Sequence, residues 1–234
     1  MAPKRKKAGF QPSVSFDEIV PEIEDEIVEE YAQQLGDDTD LHLERLPDVL
    51  DNLNIPNCFT KDIKGAVDYY YQFIHDRNYE INNSNFKQRI TLEMMLSFTI
   101  TSSTHTTEDI SDIIDIDKLI RNLNILIKFR DNHQHILSSW KLLIQESGET
   151  PSNVETFQLT LPGLKNVKTS LNLDNDPQTK VPLNDGFLID MLGCCQHDAK
   201  EQLINYSFDK QGAVVTIKDF AVILGKLGEL DDAE

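Results

Sequence analysis

The sequence has few of the residues from which metal sites and disulfide frameworks are built. Its three cysteines are Cys58, Cys194 and Cys195, and no two of them have the C-x-x-C spacing of a metal or redox motif. The adjacent pair has poor geometry for either a disulfide or a shared metal. The six histidines are scattered, and His133 and His135, two residues apart, point to different sides of a helix. We therefore expect buried thiols in a reducing compartment, with no disulfide and no metal site.

The sequence also lacks the short motifs that mark common catalytic centres. It contains no G-x-S-x-G elbow, no phosphate-binding P-loop, no H-E-x-x-H zinc motif and no glycine-rich dinucleotide turn. Pairs of an acidic residue and a histidine can be drawn between distant positions of any chain, so without such a motif they do not indicate a catalytic site. We therefore predict that the protein is not an enzyme and that it uses no cofactor.

Long hydrophobic runs and positive charge are both scarce. No apolar segment reaches the roughly 18–20 residues that a membrane span needs, and no signal-peptide core follows Met1. The chain has 40 acidic residues against 22 basic ones, which gives a formal net charge of −18. Such a surface repels phosphate backbones. We therefore expect no direct binding of nucleic acid or membrane, and we expect docking on a basic or apolar partner.

One basic cluster stands apart from this acidic background. It consists of Lys4, Arg5, Lys6 and Lys7, close to the N-terminus. A compact basic run on a terminal segment is typical of a nuclear import signal. The cluster predicts that the protein is in the nucleus.

Amphipathic stripes dominate the remaining chain and predict a mainly α-helical fold. A helix beginning at Pro21 carries acidic residues in its first turn, where they oppose the positive end of the helix dipole. Residues 156–161 instead alternate like a short strand or an extended loop. The apolar stripes at helical spacing are Val20, Ile23, Ile27 and Tyr31; Leu46, Val49, Leu50 and Leu53; Ile116, Leu119, Ile120, Leu123 and Ile127; and Ile136, Leu137, Trp140, Leu143 and Ile144, in a helix that ends near Gly148. Further helices are predicted over Lys61–His75, from Phe187 onwards and after Ile217.

Several segments share the plan of an EF-hand, which is a helix, a loop with an apolar bridge, and a second helix. A calcium-binding loop places oxygen ligands at positions 1, 3, 5, 7, 9 and 12. If the loop before the final helix is aligned with Asp219 at position 12, Val215 occupies position 8, which is usually apolar. The same alignment places Phe208 and Lys210 at positions 1 and 3, and neither side chain offers an oxygen ligand. In the loop that precedes the Leu46 stripe, Arg45 falls at position 12, where a bidentate glutamate is needed. The sequence predicts degenerate EF-hand helix pairs of the centrin and calmodulin type, with short β bridges and no specific calcium site.

The polar stretches divide the chain into five parts. We predict a disordered basic tail at 1–18, a degenerate EF-hand region at 19–77 and a variable polar insertion at 78–109. A central and C-terminal degenerate EF-hand region follows at 110–230, and residues 231–234 form an acidic tail.

The missing calcium ligands bear on how such helix pairs would work. A sensor EF-hand opens its apolar groove when it binds calcium. Helix pairs without ligands must hold their geometry by packing, so that any groove is permanently open to an apolar helix of a partner. The same stripes could equally close on each other in a core, and the sequence leaves both readings open.

Four segments are similar to a small fungal family of centrin-like nucleotide-excision-repair proteins, number thirty-three of the yeast radiation-sensitivity (Rad) series. They are Glu22–Ile27 with Glu30–Ala32, Asp115–Arg121, Trp140–Ile144 and Phe220–Gly228. Residues 78–109 and 171–184 correspond to insertions. The resemblance implies a stabilising, non-catalytic role in repair for a monomer within a complex.

The resemblance also implies a partner and a set of contact residues. The partner is the fungal damage-recognition factor, homologous to the xeroderma pigmentosum group C protein, which also carries a ubiquitin-like repair protein. Centrin-type proteins grip a helix near the C-terminal end of that factor. The residues carried over to helix binding are Phe187, Met191, Phe220, Ile223, Leu224 and Leu227, with Leu119, Leu123 and Trp140 as secondary candidates because their stripes could be core.

Two other functions fit the composition. A calcium-regulated EF-hand sensor or light-chain-like protein would respond to the ion with a conformational change. An acidic nuclear chaperone would bind basic histone tails, with an affinity that falls steeply with salt. Helix binding by apolar burial should instead survive salt.

Overall fold

The described residues of the protein fold into helices packed around one hydrophobic core. The structure, a computed structural model, describes residues 13–75, 86–100, 111–172 and 214–230. None of the helices in these ranges combines the length and the hydropathy that a membrane span requires. The mainly α-helical prediction is confirmed. The helices are α1 (Pro21–Leu35), α2 (Leu46–Asn52), α3 (Asn57–Tyr70), α4 (Phe86–Leu96), α5 (Ile116–Asp131), α6 (His133–Ser147), α7 (Leu161–Ser170) and α8 (Ile217–Lys226), with a 3-10 turn at Leu43–Arg45 and a π-helical turn at Tyr71–His75.

Helix α1 begins at Pro21, as the sequence predicts. Proline lacks the backbone N–H that would be unpaired at this position, and Glu22 and Glu24 lie in the first turn. The helix ends at Gly36, whose φ of 56° lies in a region that residues with a side chain rarely adopt. The sequence-predicted end of α6 is also confirmed, because Gly148 adopts a left-handed conformation there and its N–H donates to the carbonyl of Gln145.

Helix α5 is the centre of the core. Asp115 caps it, since a side-chain oxygen accepts from the backbone N–H groups of Asp117 and Lys118 at 3.0 and 3.2 Å. Leu119 and Leu123 are completely buried. Helix α1 packs on α5, α3 on α4, and α6 on both α7 and α8.

Isolated antiparallel bridges, rather than strands, connect the helical units. His42 pairs with Ile113, Thr99 with Ile114, and Leu159 with Val215. The Leu159 and Val215 backbones exchange two hydrogen bonds of 2.8 and 2.9 Å. The predicted short β bridges are therefore present, and the described residues contain no larger sheet.

The N-terminal segment is fixed across the C-terminal helix. Phe16 is buried and its ring lies against Phe129 and the backbone of α8 at Gly225. The Lys128 ammonium donates to the carbonyls of Ser15, Phe16 and Glu18 at 2.8–2.9 Å. The first described residues therefore form part of the folded body.

Two helices were not expected from the sequence. Helix α4 lies within the stretch predicted as a variable polar insertion, 78–109, and α7 begins at Leu161, the last of the alternating residues 156–161. In α4 the buried Thr91 hydroxyl donates to the Lys87 carbonyl, so a polar residue is accommodated inside the helix. In α7 Gly163 lets the helix approach Leu159 closely, because a Cβ there would lie 2.6 Å from a Leu159 methyl carbon.

Candidate functional site

The described helix-binding residues predicted near the C-terminus belong to α8 or, in the case of Leu227, cap its C-terminal end. Thr216 and Asp219 form a capping box, in which the Asp219 N–H donates to the Thr216 hydroxyl and the Thr216 N–H donates to the Asp219 carboxylate. This reciprocal pairing fixes where the helix starts. It therefore also fixes which side chains of α8 turn towards the core.

One side of α8 is apolar and open. Phe220, Ile223 and Leu227 are spaced i, i+3 and i+7, so they lie on one face of the helix. Ile223 is 40% exposed and Leu227 is 51% exposed, whereas Phe220 is half-buried. We call these three residues the α8 face. Leu224, only 9% exposed, borders the face and joins it to the core.

Trp140 packs against the α8 face from the core side. Its ring lies 5.4 Å from that of Phe220 and 6.3 Å from that of Phe157, measured between centroids. The Trp140 Nε1–H donates to the Val154 carbonyl at 2.9 Å, which satisfies the polar end of a fully buried side chain. The tryptophan therefore holds Phe220 in place without reaching the surface itself.

The structure separates the predicted contact residues into three groups. Phe220, Ile223 and Leu224 come together on α8, with Leu227 at its C-terminal cap. Leu119, Leu123 and Trp140 are fully buried in the core, so they can support a binding face but expose no surface of their own. Phe187 and Met191 lie outside the described residues, as do the basic residues Lys4, Arg5, Lys6 and Lys7.

A buried ion pair holds α8 against α3. The Lys218 ammonium lies 3.0 and 2.7 Å from the two carboxylate oxygens of Asp62. The two side chains are only 6% and 9% exposed. Burial raises the pKa of the Asp62 carboxyl, and the neighbouring ammonium opposes that shift. Sequence reasoning missed this pair, because the two residues lie far apart along the chain and each belongs to an ordinary amphipathic helix.

A polar cavity lies beside the loop between α1 and α2. It is lined by residues that include Asp40, His42, Tyr71 and Asp112. The Tyr71 hydroxyl donates to Asp112 at 3.4 Å and accepts from the Glu44 N–H at 3.0 Å. Burial and the nearby Asp112 carboxylate raise the pKa of Tyr71. This phenol therefore stays protonated at neutral pH and acts as a structural hydrogen-bond bridge.

Comparison with known proteins gives one match. The Rad33 family profile matches residues 13–176, which is more than two-thirds of the chain and reaches from the N-terminal segment past α7. The matched span contains three of the four segments that carry the resemblance, while α8 lies beyond it. No curated protein and no solved structure matches the chain. The family relationship suggests a role related to DNA repair. The chain belongs to the Rad33 family.

Proposed function

We propose that this protein is a non-catalytic accessory factor of nucleotide excision repair, which binds an apolar helix of the damage-recognition factor homologous to the xeroderma pigmentosum group C protein. The observation that carries the proposal is the α8 face. Two large aliphatic side chains stand exposed, Ile223 on α8 and Leu227 at its C-terminal cap, whereas most other residues of the helix are buried. A face of this kind, firmly supported from below, is suited to helix recognition. The Rad33 family relationship agrees with a repair partner.

Degenerate EF-hand pairing forms part of this proposal. The helices α1 and α2 flank the bridge residue His42, and α4 and α5 flank its partner Ile113. Helices α6 and α7 likewise flank Leu159, which pairs with Val215 immediately before α8. Antiparallel pairing of two loops through one bridge is the plan expected of paired EF-hands. The packing of α1 on α5 and of α6 on α8 supports this view.

The loops of this arrangement offer poor calcium sites. When Ile114 and Leu159 are taken as position 8 of their loops, position 12 falls on Lys118 and Gly163. The Lys118 ammonium donates to the carbonyls of Leu96 and Thr99 at 3.0 and 2.6 Å. A side-chain cation thereby ties α5 to the end of α4, and this favours a geometry held without an ion.

The chemistry of the α8 face defines the segment that would bind it. The partner helix should present apolar side chains at i, i+3 or i+4, and i+7. Basic residues should flank that stripe, because the chain carries a formal net charge of −18. Apolar contacts would then supply most of the affinity, and charge would mainly speed association.

The proposal is tested by calorimetric titration of the full chain with a C-terminal helical peptide of the damage-recognition factor. The titration is run once with calcium and once with a chelator. The expected result is one-to-one binding with the same Kd in both conditions. Heat that appears only with calcium would support the sensor alternative, and no heat in either condition would refute the proposed partner.

A paired substitution tests whether the α8 face is the contact. Changing Ile223 and Leu227 to serine should weaken peptide binding at least about tenfold, because truncation of buried interface anchors costs about 2 kcal/mol or more each. Val28, on α1 and 43% exposed, provides a matched control, since V28S removes a similar exposed side chain elsewhere. Equal affinity of the I223S/L227S variant and V28S would exclude this face.

Salt separates helix binding from the acidic-chaperone alternative. Binding to basic histone tails should fall steeply between low and physiological ionic strength, because exposed charges are screened. Binding through the α8 face should change little, since it rests on apolar burial. Histone tails that bind more tightly than the helical peptide, with strong salt dependence, would favour the chaperone.

Nuclear localisation is the last part of the proposal. It rests on the cluster Lys4, Arg5, Lys6 and Lys7 in an otherwise acidic chain. Alanine at all four positions should shift a fluorescent fusion of the protein from the nucleus to the cytoplasm. Unchanged nuclear accumulation would show that import depends on another segment or on a partner.

A further inference from the structure

Three side chains with metal-binding atoms converge where α3, α6 and the α6–α7 loop meet. Cys58 is the second residue of α3, and His133 is the first residue of α6. Glu155 comes from the loop, where its backbone N–H donates to the Asn153 side chain at 2.9 Å. The three side chains are all half-buried.

The distances between these atoms are close to those of a tetrahedral site. Cys58 Sγ lies 3.9 Å from His133 Nε2, and His133 Nε2 lies 3.6 Å from Glu155 Oε1. All three ligand atoms lie within 4.8 Å of one another. Bonds of about 2.0–2.3 Å to Zn²⁺ place tetrahedral ligand atoms roughly 3.3–3.8 Å apart. Small side-chain adjustments would therefore bring the three atoms onto one ion.

The same three residue types could in principle form a catalytic triad, but the geometry argues against it. In a triad the base uses one ring nitrogen for the nucleophile and the other for the carboxylate. Here the sulfur and the carboxylate both face Nε2 of His133. Burial, reinforced by the Glu155 charge, raises the pKa of the Cys58 thiol to about 12, so this cysteine is not an activated nucleophile.

We propose that Cys58, His133 and Glu155 bind Zn²⁺ through one sulfur, one nitrogen and one oxygen atom. This donor set suits Zn²⁺, which accepts all three ligand types in tetrahedral geometry. When the ion binds, the Cys58 thiol releases its proton to solvent as the sulfur–zinc bond forms, and no redox change occurs. The resulting thiolate and the Glu155 carboxylate together balance the two positive charges of the ion.

The fourth coordination position would face a solvent-connected cavity. Cys58 and Glu155 line a cavity of about 330 Å³, so a water molecule can complete the tetrahedron. Lys218 and Asp62, which join α3 to α8, line the same cavity. Zinc would fix the α6–α7 loop to α3 beside this ion pair. The site is independent of the proposed partner.

The site is tested on the full chain after treatment with a chelator and its removal. Co²⁺ is titrated as a spectroscopic substitute, and Zn²⁺ is then added to displace it. A one-to-one complex should show the absorption of tetrahedral Co²⁺ and a thiolate-to-cobalt charge-transfer band. C58S should lose that band, and H133Q and E155Q should each bind at least about tenfold more weakly, since even supporting groups around a metal contribute roughly 10–100-fold in affinity.

Matched variants distinguish this site from other thiols and imidazoles. The C194S/C195S variant leaves Cys58 as the only cysteine and should bind cobalt as the unmodified protein does. H135Q, which changes an exposed histidine on α6, should also bind normally, and circular dichroism checks that every variant is folded. Failure of the unmodified chain to bind either metal at micromolar concentration would overturn the assignment. A charge-transfer band that survives in C58S or disappears in C194S/C195S would overturn it as well.

Discussion

The buried ion pair between Lys218 and Asp62 gives the sharpest stability prediction. Changing Lys218 to methionine keeps the aliphatic stem but removes the ammonium that lies 2.7 and 3.0 Å from the carboxylate oxygens. Because both side chains are less than a tenth exposed, water cannot take over the role of the lysine. Breaking a buried pair from one side costs about 3–5 kcal/mol. We therefore expect K218M to lower the free energy of unfolding by about that amount.

The assay is urea unfolding followed by circular dichroism, with the slope of the transition checked for constancy. The control is K64M, which removes a surface pair because Asp51, the partner of Lys64, has a side chain that is 63% exposed. It should cost less than about 1 kcal/mol. The double variant D62L/K218M should recover most of the lost stability, since an apolar pair of similar volume is often neutral or stabilising by about 1–4 kcal/mol.

The pH dependence of K218M follows from the same reasoning. Burial raises the pKa of Asp62 above its value in the unfolded chain, so the folded state holds the proton more tightly than the unfolded state. Stability associated with this group is present at low pH and is lost as the pH rises through the raised pKa. Removing the Lys218 ammonium, which opposes this shift, raises the pKa of Asp62 further. K218M therefore loses more stability than the unmodified protein as the pH rises, and the difference between their free energies of unfolding should shrink in acid. A K218M variant within about 1 kcal/mol of the unmodified protein, or a double variant as unstable as K218M, would refute the argument.

Three further substitutions test the packing around α5 and α8. G225A should destabilise the protein by about 1–3 kcal/mol, because the new Cβ would overlap the buried Phe16 ring; in urea unfolding its cost should be smaller in an F16A background. D115A should cost about 0.5–2 kcal/mol through loss of the α5 cap, and D115N, which keeps an acceptor, should cost clearly less by thermal unfolding. W140F should cost about 1–3 kcal/mol in chemical unfolding, since it leaves the Val154 carbonyl without its donor; no change would show that this carbonyl finds another partner.

Helix ends controlled by neighbouring residues were predictable from the sequence. The start of α1 at Pro21 and the end of α6 before Gly148 depend on residues within a single turn. Helices α4 and α7 were missed for a related reason. Their sequences carry polar or helix-breaking residues, and they are stabilised by burial against α3 and α6 rather than by local propensity.

The candidate sites also combine features that the sequence predicts with features that only the packed structure shows. Periodicity placed Phe220, Ile223 and Leu227 on one helical face, but only the packed structure shows that Ile223 and Leu227 remain exposed while Trp140 is buried below. An amphipathic stripe looks the same in sequence whether it meets the core or a partner. Exposure is a property of the whole fold, so it could not be read from the stripe.

The sequence by itself determined the helical class and the acidic net charge, because each depends on residue type or on spacing within a few turns. Only the tertiary structure decided which apolar residues stay exposed, that Lys218 meets Asp62, and that Cys58, His133 and Glu155 converge. These relations join residues far apart along the chain. They arise when helices pack their apolar faces together, and no local pattern encodes where the remaining polar atoms will meet.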